Sequence, residues 1–169
     1  MKRLFFALWP SDKVRKQIDS FNGLIPSMHL KKVKADNLHV TLVFLGNVDT
    51  EPELMLRQSM SDIKVEPFVL HFDQLTFWSK PRILCLLTQY YDEQLLMLVN
   101  QLKSKVEQCG IKTEERPYKP HITVARKATR LTDTKAFSIE WSAQAFCLVE
   151  SCSTEDGVRY QVIQRWPFN

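Results

Sequence analysis

One order of elements occurs twice in this chain, and this repeat constrains its fold more than any other feature. An apolar, strand-like run at 3–9 precedes a helical pattern, a loop and the run NLHVTLVFLG at 37–46. The same order recurs with the strand-like run 81–88, a second helical pattern, a loop and KPHITVARKA at 119–128. From Leu4 to His39 is 35 residues, and from Leu84 to His121 is 37. This spacing indicates an internal duplication and predicts two similar lobes.

Both copies carry clear helix signals between their strand-like runs. Ser11 and Asp92 are candidate N-caps, because their side-chain oxygens can accept from free backbone N–H groups of the first turn. Gly110 stands where a glycine commonly ends a helix. The apolar positions that recur at helical spacing are Val14, Ile18 and Phe21 in the first helix, and Leu95, Val99, Leu102 and Val106 in the second. These stripes predict two amphipathic helices.

The remaining segments are mostly strand-like. A further helix is predicted from Pro52 to Ile63, and strands are predicted at 68–73 and 137–141. The runs 145–151 and 158–166 flank Asp156-Gly157, which is a hairpin turn signal. Strands outnumber helices and hairpins are expected, so the pattern predicts an α+β fold of two similar lobes.

Composition fits one folded domain and leaves the ligand class open. The chain has 169 residues, of which 44% are apolar and 25% charged, and we expect a single domain over 1–169. No apolar run reaches about 20 residues, so no membrane-spanning segment is expected. The first apolar run ends at Trp9-Pro10 and is interpreted as a buried strand, not as a leader. The net charge of +4 is compatible with a phosphate or nucleic-acid ligand but does not demonstrate one.

The cysteines show neither a zinc pattern nor a dense disulfide framework. None of them forms a C-x-x-C pair, and reduced thiols in a cytoplasmic protein are the simplest interpretation. The four are Cys85, Cys109, Cys147 and Cys152.

Each copy of the repeat ends in a His-x-Thr motif inside an apolar run. Residues i and i+2 of a strand point to the same face, so His39 neighbours Thr41 and His121 neighbours Thr123. One imidazole can act as base while the other, protonated, acts as acid. Threonine hydroxyls can donate hydrogen bonds to anionic oxygens. The combination suits in-line substitution at phosphorus, and it requires no metal if imidazolium and hydroxyls stabilise the charge.

Other interpretations exist for each part of this pattern. A single histidine in a strand is more often structural than catalytic, and threonine is common in strands. A non-catalytic RNA- or nucleotide-binding module would keep a basic cleft and aromatic side chains without needing two histidines. A purely structural protein leaves the repeated motif unexplained. Two intact motifs at duplicated positions favour an enzyme.

Several segments, in this order, resemble the 2H phosphoesterase superfamily, and in particular the bacterial and archaeal RNA 2′,3′-cyclic phosphodiesterases once named 2′-5′ RNA ligases. The segments are RLFFAL, VKADNLHVTLVFLG, PRILCLL, RPYKPHITVAR and GVRYQVIQRWPF. The resemblance implies a bilobal α+β fold with pseudo-two-fold symmetry, antiparallel sheets lining a central cleft and helices on the outside. It also implies cofactor-free, metal-independent hydrolysis of a 2′,3′-cyclic phosphate to a 2′-phosphate.

The resemblance assigns roles to the motif residues. His39 and His121 would be the acid and the base, in an order that the sequence does not reveal, and Thr41 and Thr123 would bind phosphate oxygens. Formation of a 2′-phosphate requires O3′ to be the leaving atom.

Two further residues match family positions, each five residues after a histidine. Arg126 would contact the phosphate, and Phe44 would stack on the base. Strict alternation places both on the face opposite the histidines. Either the strands end or twist there, or Arg126 is a surface residue and Phe44 a core residue.

The expected partners are RNA or oligonucleotides with a 2′,3′-cyclic phosphate end and small cyclic nucleotides, with no membrane and a monomeric chain. A 2H esterase acting on 2′-5′ oligonucleotides is an alternative, and the reverse reaction would be 2′-5′ ligation. Trp78 and Arg82 are candidates to line the cleft. The loop lysines Lys31, Lys32 and Lys34 are interpreted as a solvated charge run rather than an RNA contact.

Overall fold

The computed structural model describes residues 1–27 and 29–169, and in that part of the chain it contains ten β-strands and three α-helices. The strands are β1 (Lys2–Leu8), β2 (Lys31–Lys32), β3 (Val40–Val48), β4 (Phe68–Phe72), β5 (Gln74–Trp78), β6 (Ile83–Leu87), β7 (His121–Arg126), β8 (Ile139–Ala143), β9 (Ala145–Thr154) and β10 (Gly157–Pro167). The helices are α1 (Asp12–Leu24), α2 (Thr50–Ser59) and α3 (Glu93–Gln108). Short 3₁₀ turns cover Ala35–Asn37 and Met60–Asp62.

The two copies of the repeat are the units β1–α1–β3 and β6–α3–β7. Their strands join in one large sheet with the order β10-β9-β1-β3-β7-β6-β5, and β2 pairs with β7 beside that path. Strands β4 and β8 form a separate two-stranded sheet. Every pairing between these strands is antiparallel. The structure thus confirms the predicted α+β fold, and β3 and β7 meet in the middle of the large sheet.

Helices α1 and α3 begin directly after their predicted N-caps. The Ser11 hydroxyl accepts a hydrogen bond from the Val14 N–H at 3.4 Å, and the Asp92 carboxylate accepts one from the Gln94 N–H at 2.8 Å. Gly110 follows α3 with φ +78°, a left-handed conformation that glycine adopts without a Cβ clash. The predicted bounds of α2, Pro52 to Ile63, were wrong. The helix begins at Thr50 and ends at Ser59, and a 3₁₀ turn follows it.

The large sheet has two different faces. Leu4, Phe6 and Leu8 of β1 belong to the main core, together with the apolar stripes of α1 and α3. The alternate residues Phe5 and Ala7 belong to a smaller cluster on the other side. This smaller cluster also contains or contacts Cys147, Val149, Trp9, Tyr160 and Val162. We call the side of Phe5 the cleft face.

Two short strands had no counterpart in the sequence prediction. Strand β2 has only two residues, too few for an alternating pattern. All five residues of β5 are half-buried, so its two faces do not differ in burial. Among the described residues, no helix combines the length and apolarity needed to cross a membrane.

Candidate active site

The two His-x-Thr motifs meet at the centre of the large sheet. Val40 of β3 and Ile122 of β7 are antiparallel cross-strand partners, and both are 0% exposed within the main core. The residues on either side of each partner therefore point to the cleft face. In this antiparallel register, each threonine lies beside the histidine of the other motif. The structure thus brings both imidazoles and both hydroxyls to one small area of the sheet.

Both imidazole rings are oriented by a backbone carbonyl two residues upstream. His39 Nδ1 lies 2.7 Å from the Asn37 carbonyl oxygen, and His121 Nδ1 lies 2.8 Å from that of Lys119. A carbonyl can only accept, so Nδ1 carries the proton and Nε2 of each neutral ring keeps a free lone pair. The Thr41 hydroxyl lies 3.0 Å from His39 Nε2, to which it donates. Each ring is held ready to exchange a proton at Nε2.

Aromatic side chains surround His39. The Trp9 ring stacks on the imidazole at 5.7 Å between centroids and 13° between planes. The rings of Phe5 and Tyr160 each lie 5.0 Å from it. These three contacts shield the imidazole from water on several sides and leave its Nε2 edge beside Thr41.

The surroundings of His121 are less enclosed. The Trp78 ring lies 4.6 Å from the imidazole, which agrees with the prediction that Trp78 lines the cleft. Arg82, predicted for the same place, donates instead to the backbone carbonyls of Ala128 at 3.3 Å and Lys127 at 3.5 Å. Arg82 therefore stabilises the loop after β7.

The surroundings lower the pKa of both histidines. Burial is the main cause and lowers the pKa of His39 to about 4, although the hydrogen bond to its backbone carbonyl opposes this shift. Burial likewise lowers the pKa of His121, again against a backbone hydrogen bond. The Arg126 guanidinium contributes a further lowering of the pKa at both rings. The positive charge of Arg126 therefore disfavours protonation of either imidazole.

A β-bulge places Arg126 on the same face of β7 as His121 and Thr123. Ile83 and Cys85 lie two residues apart on one face of β6, but their partners in β7, Arg126 and Thr123, are three residues apart. The extra residue is accommodated at Val124, which reverses the alternation beyond it. Arg126 therefore lies on the cleft face. The strict alternation assumed from the sequence was wrong here.

The bulge is stabilised from the core side. The Val124 carbonyl accepts two hydrogen bonds, from the Val33 N–H at 2.8 Å and from Asn22 Nδ2 at 3.1 Å. Asn22 lies in α1 and is only 2% exposed. Its amide thus gives this buried carbonyl a second donor.

The same device places Phe44 on the cleft face. Phe5 and Ala7 lie two residues apart in β1, but their partners in β3, Phe44 and Thr41, are three apart. The Phe44 ring is 36% exposed, and the Arg3 guanidinium carbon lies 5.2 Å from its centroid. The alternation argument therefore failed at Phe44 as well, and the ring is available on the surface of the cleft face.

Asn37 is a site residue that the sequence analysis missed. Its Nδ2 donates to the Val158 carbonyl at 2.8 Å, and its Oδ1 accepts from the Tyr160 N–H at 3.1 Å. The amide therefore pairs with β10 as a strand would, while the Asn37 carbonyl orients His39. Its partners lie more than 120 residues away, so no local pattern could have indicated this role.

Tyr118 joins the second copy of the repeat to the first. Its hydroxyl donates to the Thr41 carbonyl at 3.1 Å. Burial raises the pKa of the phenol, which keeps the hydroxyl protonated as a donor. This bond fixes the approach to the second motif against the backbone of the first.

Within residues 1–27 and 29–169, no three His, Cys, Asp or Glu side chains are grouped to hold a metal ion.

The fold and these paired motifs define a 2H phosphoesterase. Two copies of one strand–helix–strand unit each bring a His-x-Thr motif to a common face.

The chain belongs to the 2′-5′ RNA ligase superfamily, whose family model matches residues 10–151. It is 32% identical over 168 residues to the RNA 2′,3′-cyclic phosphodiesterase of Escherichia coli, over 98% of this chain and 96% of that protein. It is 27% identical over 176 residues to the Methanocaldococcus jannaschii protein of the same name, over 97% and 99% of the two chains. The crystal structure of E. coli LigT in apo form matches with a TM-score of 0.91 at 31% identity, over 99% of this chain and 97% of that one. The E. coli LigT complex with 3′-AMP matches with a TM-score of 0.91 at 31% identity, over 99% and 98%.

Proposed function

We propose that this protein hydrolyses a 2′,3′-cyclic phosphate at the end of RNA, or on a nucleoside, to a 2′-phosphomonoester. The observation that carries the proposal is the pair of imidazoles, each with Nδ1 on a backbone carbonyl, that share the cleft face. Relatives named RNA 2′,3′-cyclic phosphodiesterase over nearly their whole length support the substrate class.

The reaction needs one neutral and one protonated imidazole. The neutral ring takes a proton from water at Nε2 while the water oxygen forms a bond to phosphorus. The bond from phosphorus to O3′ breaks, and the protonated ring gives its Nε2 proton to O3′. The product carries the phosphate on O2′, and one proton has moved from water to the base and one from the acid to the product.

Three side chains are proposed to hold the phosphate. On substrate binding the Thr41 hydroxyl turns from His39 Nε2 to a non-bridging oxygen, and the Thr123 hydroxyl donates to another. Arg126 stabilises the negative charge that increases during attack. The reaction is proposed to be metal-independent, because imidazolium and guanidinium already supply two positive charges beside the phosphate. Phe44, exposed on the same face, is proposed to stack on the base.

Substrate binding would also set the protonation states. In the free protein, burial and Arg126 disfavour a charged imidazole at His39 and at His121. A bound phosphate anion opposes the field of Arg126 and raises the pKa of the nearer imidazole. The anionic substrate thus favours the single protonated histidine that the reaction requires.

Because each lobe supplies one motif, we propose that residues 1–169 act as one catalytic domain.

Phosphorus NMR of the protein with 2′,3′-cyclic AMP in EDTA tests this proposal. Wild type should form 2′-AMP, while His39→Ala and His121→Ala should each lose on the order of 10²-fold or more in rate. His71→Ala is the matched control, because His71 is an exposed strand histidine whose Nδ1 lies 3.8 Å from the Glu140 carboxylate. Exclusive 3′-AMP would overturn the assignment of O3′ as leaving atom. Activity that EDTA abolishes and a divalent metal restores would refute the metal-independent mechanism.

A further inference from the structure

The two lysines of β2 point in opposite directions. Lys31 is the cross-strand partner of Arg126, so their side chains lie on the same, cleft-facing side of the sheet. Lys32 points to the other side, where its Nζ donates to the Gly23 carbonyl in α1 at 3.4 Å. Strand alternation therefore divides the lysine run that was expected to be solvated, and of the two β2 lysines it is Lys31 that lies on the cleft face.

The Lys31 side chain lies across one end of the cleft face. Its Nζ lies 3.6 Å from the position that a Cβ on Gly157 would occupy, at the start of β10. The neighbouring Val158 is tied to Asn37, whose carbonyl orients His39. The Lys31 backbone thus pairs with β7, which carries His121, while its side chain reaches the β9–β10 hairpin, which lies beside His39.

Lys31 and Arg126 are adjacent cations without anionic partners. Both side chains are exposed, and within residues 1–27 and 29–169 neither takes part in an ion pair of 4.0 Å or less. This includes Glu155 and Asp156 of the nearby turn. Two unpaired cations side by side repel each other, and an anion bound between or beside them removes that repulsion.

We propose that Lys31 binds the internucleotide phosphate on the 5′ side of the nucleotide that carries the cyclic phosphate. The inference rests on the proposed function, in which Arg126 holds the cyclic phosphate itself. A nucleic-acid strand carries one charge per nucleotide, so a second cation beside the first matches the next phosphate along the strand. A mononucleotide lacks that phosphate. The site is therefore built for an oligonucleotide end rather than for a free cyclic nucleotide.

Three substrates separate this role from others. They are 2′,3′-cyclic AMP, the dinucleotide ApA with a 2′,3′-cyclic phosphate end, and the same dinucleotide with an uncharged methylphosphonate linkage. We expect Lys31→Gln to lower kcat/KM for the charged dinucleotide roughly three- to tenfold and to leave the other two substrates within about twofold. Lys32→Gln is the matched control and should change none of the three. Lys31→Arg should retain most of the activity on the charged dinucleotide.

Each other outcome overturns the inference in a distinct way. An equal loss on all three substrates would mean that Lys31 supports the fold or the cyclic phosphate. No loss on any substrate would make Lys31 a solvated lysine. If wild type hydrolyses none of the three, the proposed function fails first and this inference with it.

Discussion

Replacing Asn37 with alanine tests how the environment of His39 is built. The variant loses two hydrogen bonds to β10 but keeps the backbone carbonyl that accepts from His39. One of the two bonds is solvent-exposed and the other partly buried, and each contributes about 0.5–1.5 kcal/mol. We expect the free energy of unfolding to fall by about 1–3 kcal/mol, or roughly 2–12 °C in Tm for a chain of this size.

The effect on catalysis should exceed the effect on stability. Without the two side-chain hydrogen bonds to β10, the 3₁₀ turn Ala35–Asn37 can move. The His39 imidazole moves with it, because its Nδ1 is bonded to the Asn37 carbonyl. A displacement of about 1 Å at a catalytic group can cost up to 10²-fold, so we expect kcat to fall about tenfold or more while KM changes little. The pKa of His39 should rise toward 6.5 as the ring gains water, because burial is the main cause of its lowered pKa.

Three measurements on Asn37→Ala decide the question: urea denaturation, steady-state kinetics on 2′,3′-cyclic AMP, and an NMR titration of the imidazole protons. Asp36→Ala is the control, because that carboxylate is 93% exposed and its nearest cation, Arg15, is 4.0 Å away. We expect this control to stay within about 0.5 kcal/mol. Lost stability with unchanged kcat and unchanged His39 pKa would refute the positioning role and leave Asn37 a purely structural residue.

Further predictions concern charge and the bulge. Because the pKa of both histidines lies below 6.5, kcat/KM should peak below pH 6.5, and a peak above pH 7.5 would contradict this. Arg126→Gln should raise the pKa of both His39 and His121 in an NMR titration without substrate; unchanged values would place the guanidinium far from the rings. Stability should fall by up to roughly 3 kcal/mol as pH drops from 6.5 to about 4, because the unfolded chain binds a proton at His39 that the folded chain disfavours. His39→Gln should flatten that dependence in urea titrations at pH 7 and pH 5. Asn22→Ala removes one of the two donors to the Val124 carbonyl, so it should cost about 0.5–1.5 kcal/mol and lower kcat/KM through Arg126, and normal kinetics would separate the bulge from catalysis.

The order of elements and the two motifs were predictable because their signals are local. Ser11 and Asp92 cap the helices they were predicted to cap, and the apolar stripes of α1 and α3 are buried. The duplicated spacing predicted two similar units, and the structure places their motifs on neighbouring strands. The catalytic roles of these residues stay predictions.

The features that were missed depend on partners far along the chain. A bulge is defined by two strands together, so the alternation of one strand gave the wrong face for Phe44 and Arg126. Asn37 acts through β10, and Lys31 through β7. None of these contacts leaves a periodic trace in the sequence around the residue, whereas helix caps and apolar stripes do.

The pairing of Val40 with Ile122 also has a consequence for the origin of the site. An ancestral unit of one copy could build the same centre only as a homodimer whose two-fold axis passed between these residues. Such a dimer would give its two imidazoles identical surroundings, and identical surroundings favour neither ring as acid or base. Fusion into one chain removes that constraint. Here His39 lies among three aromatic rings while His121 contacts Trp78, so the two halves have already diverged.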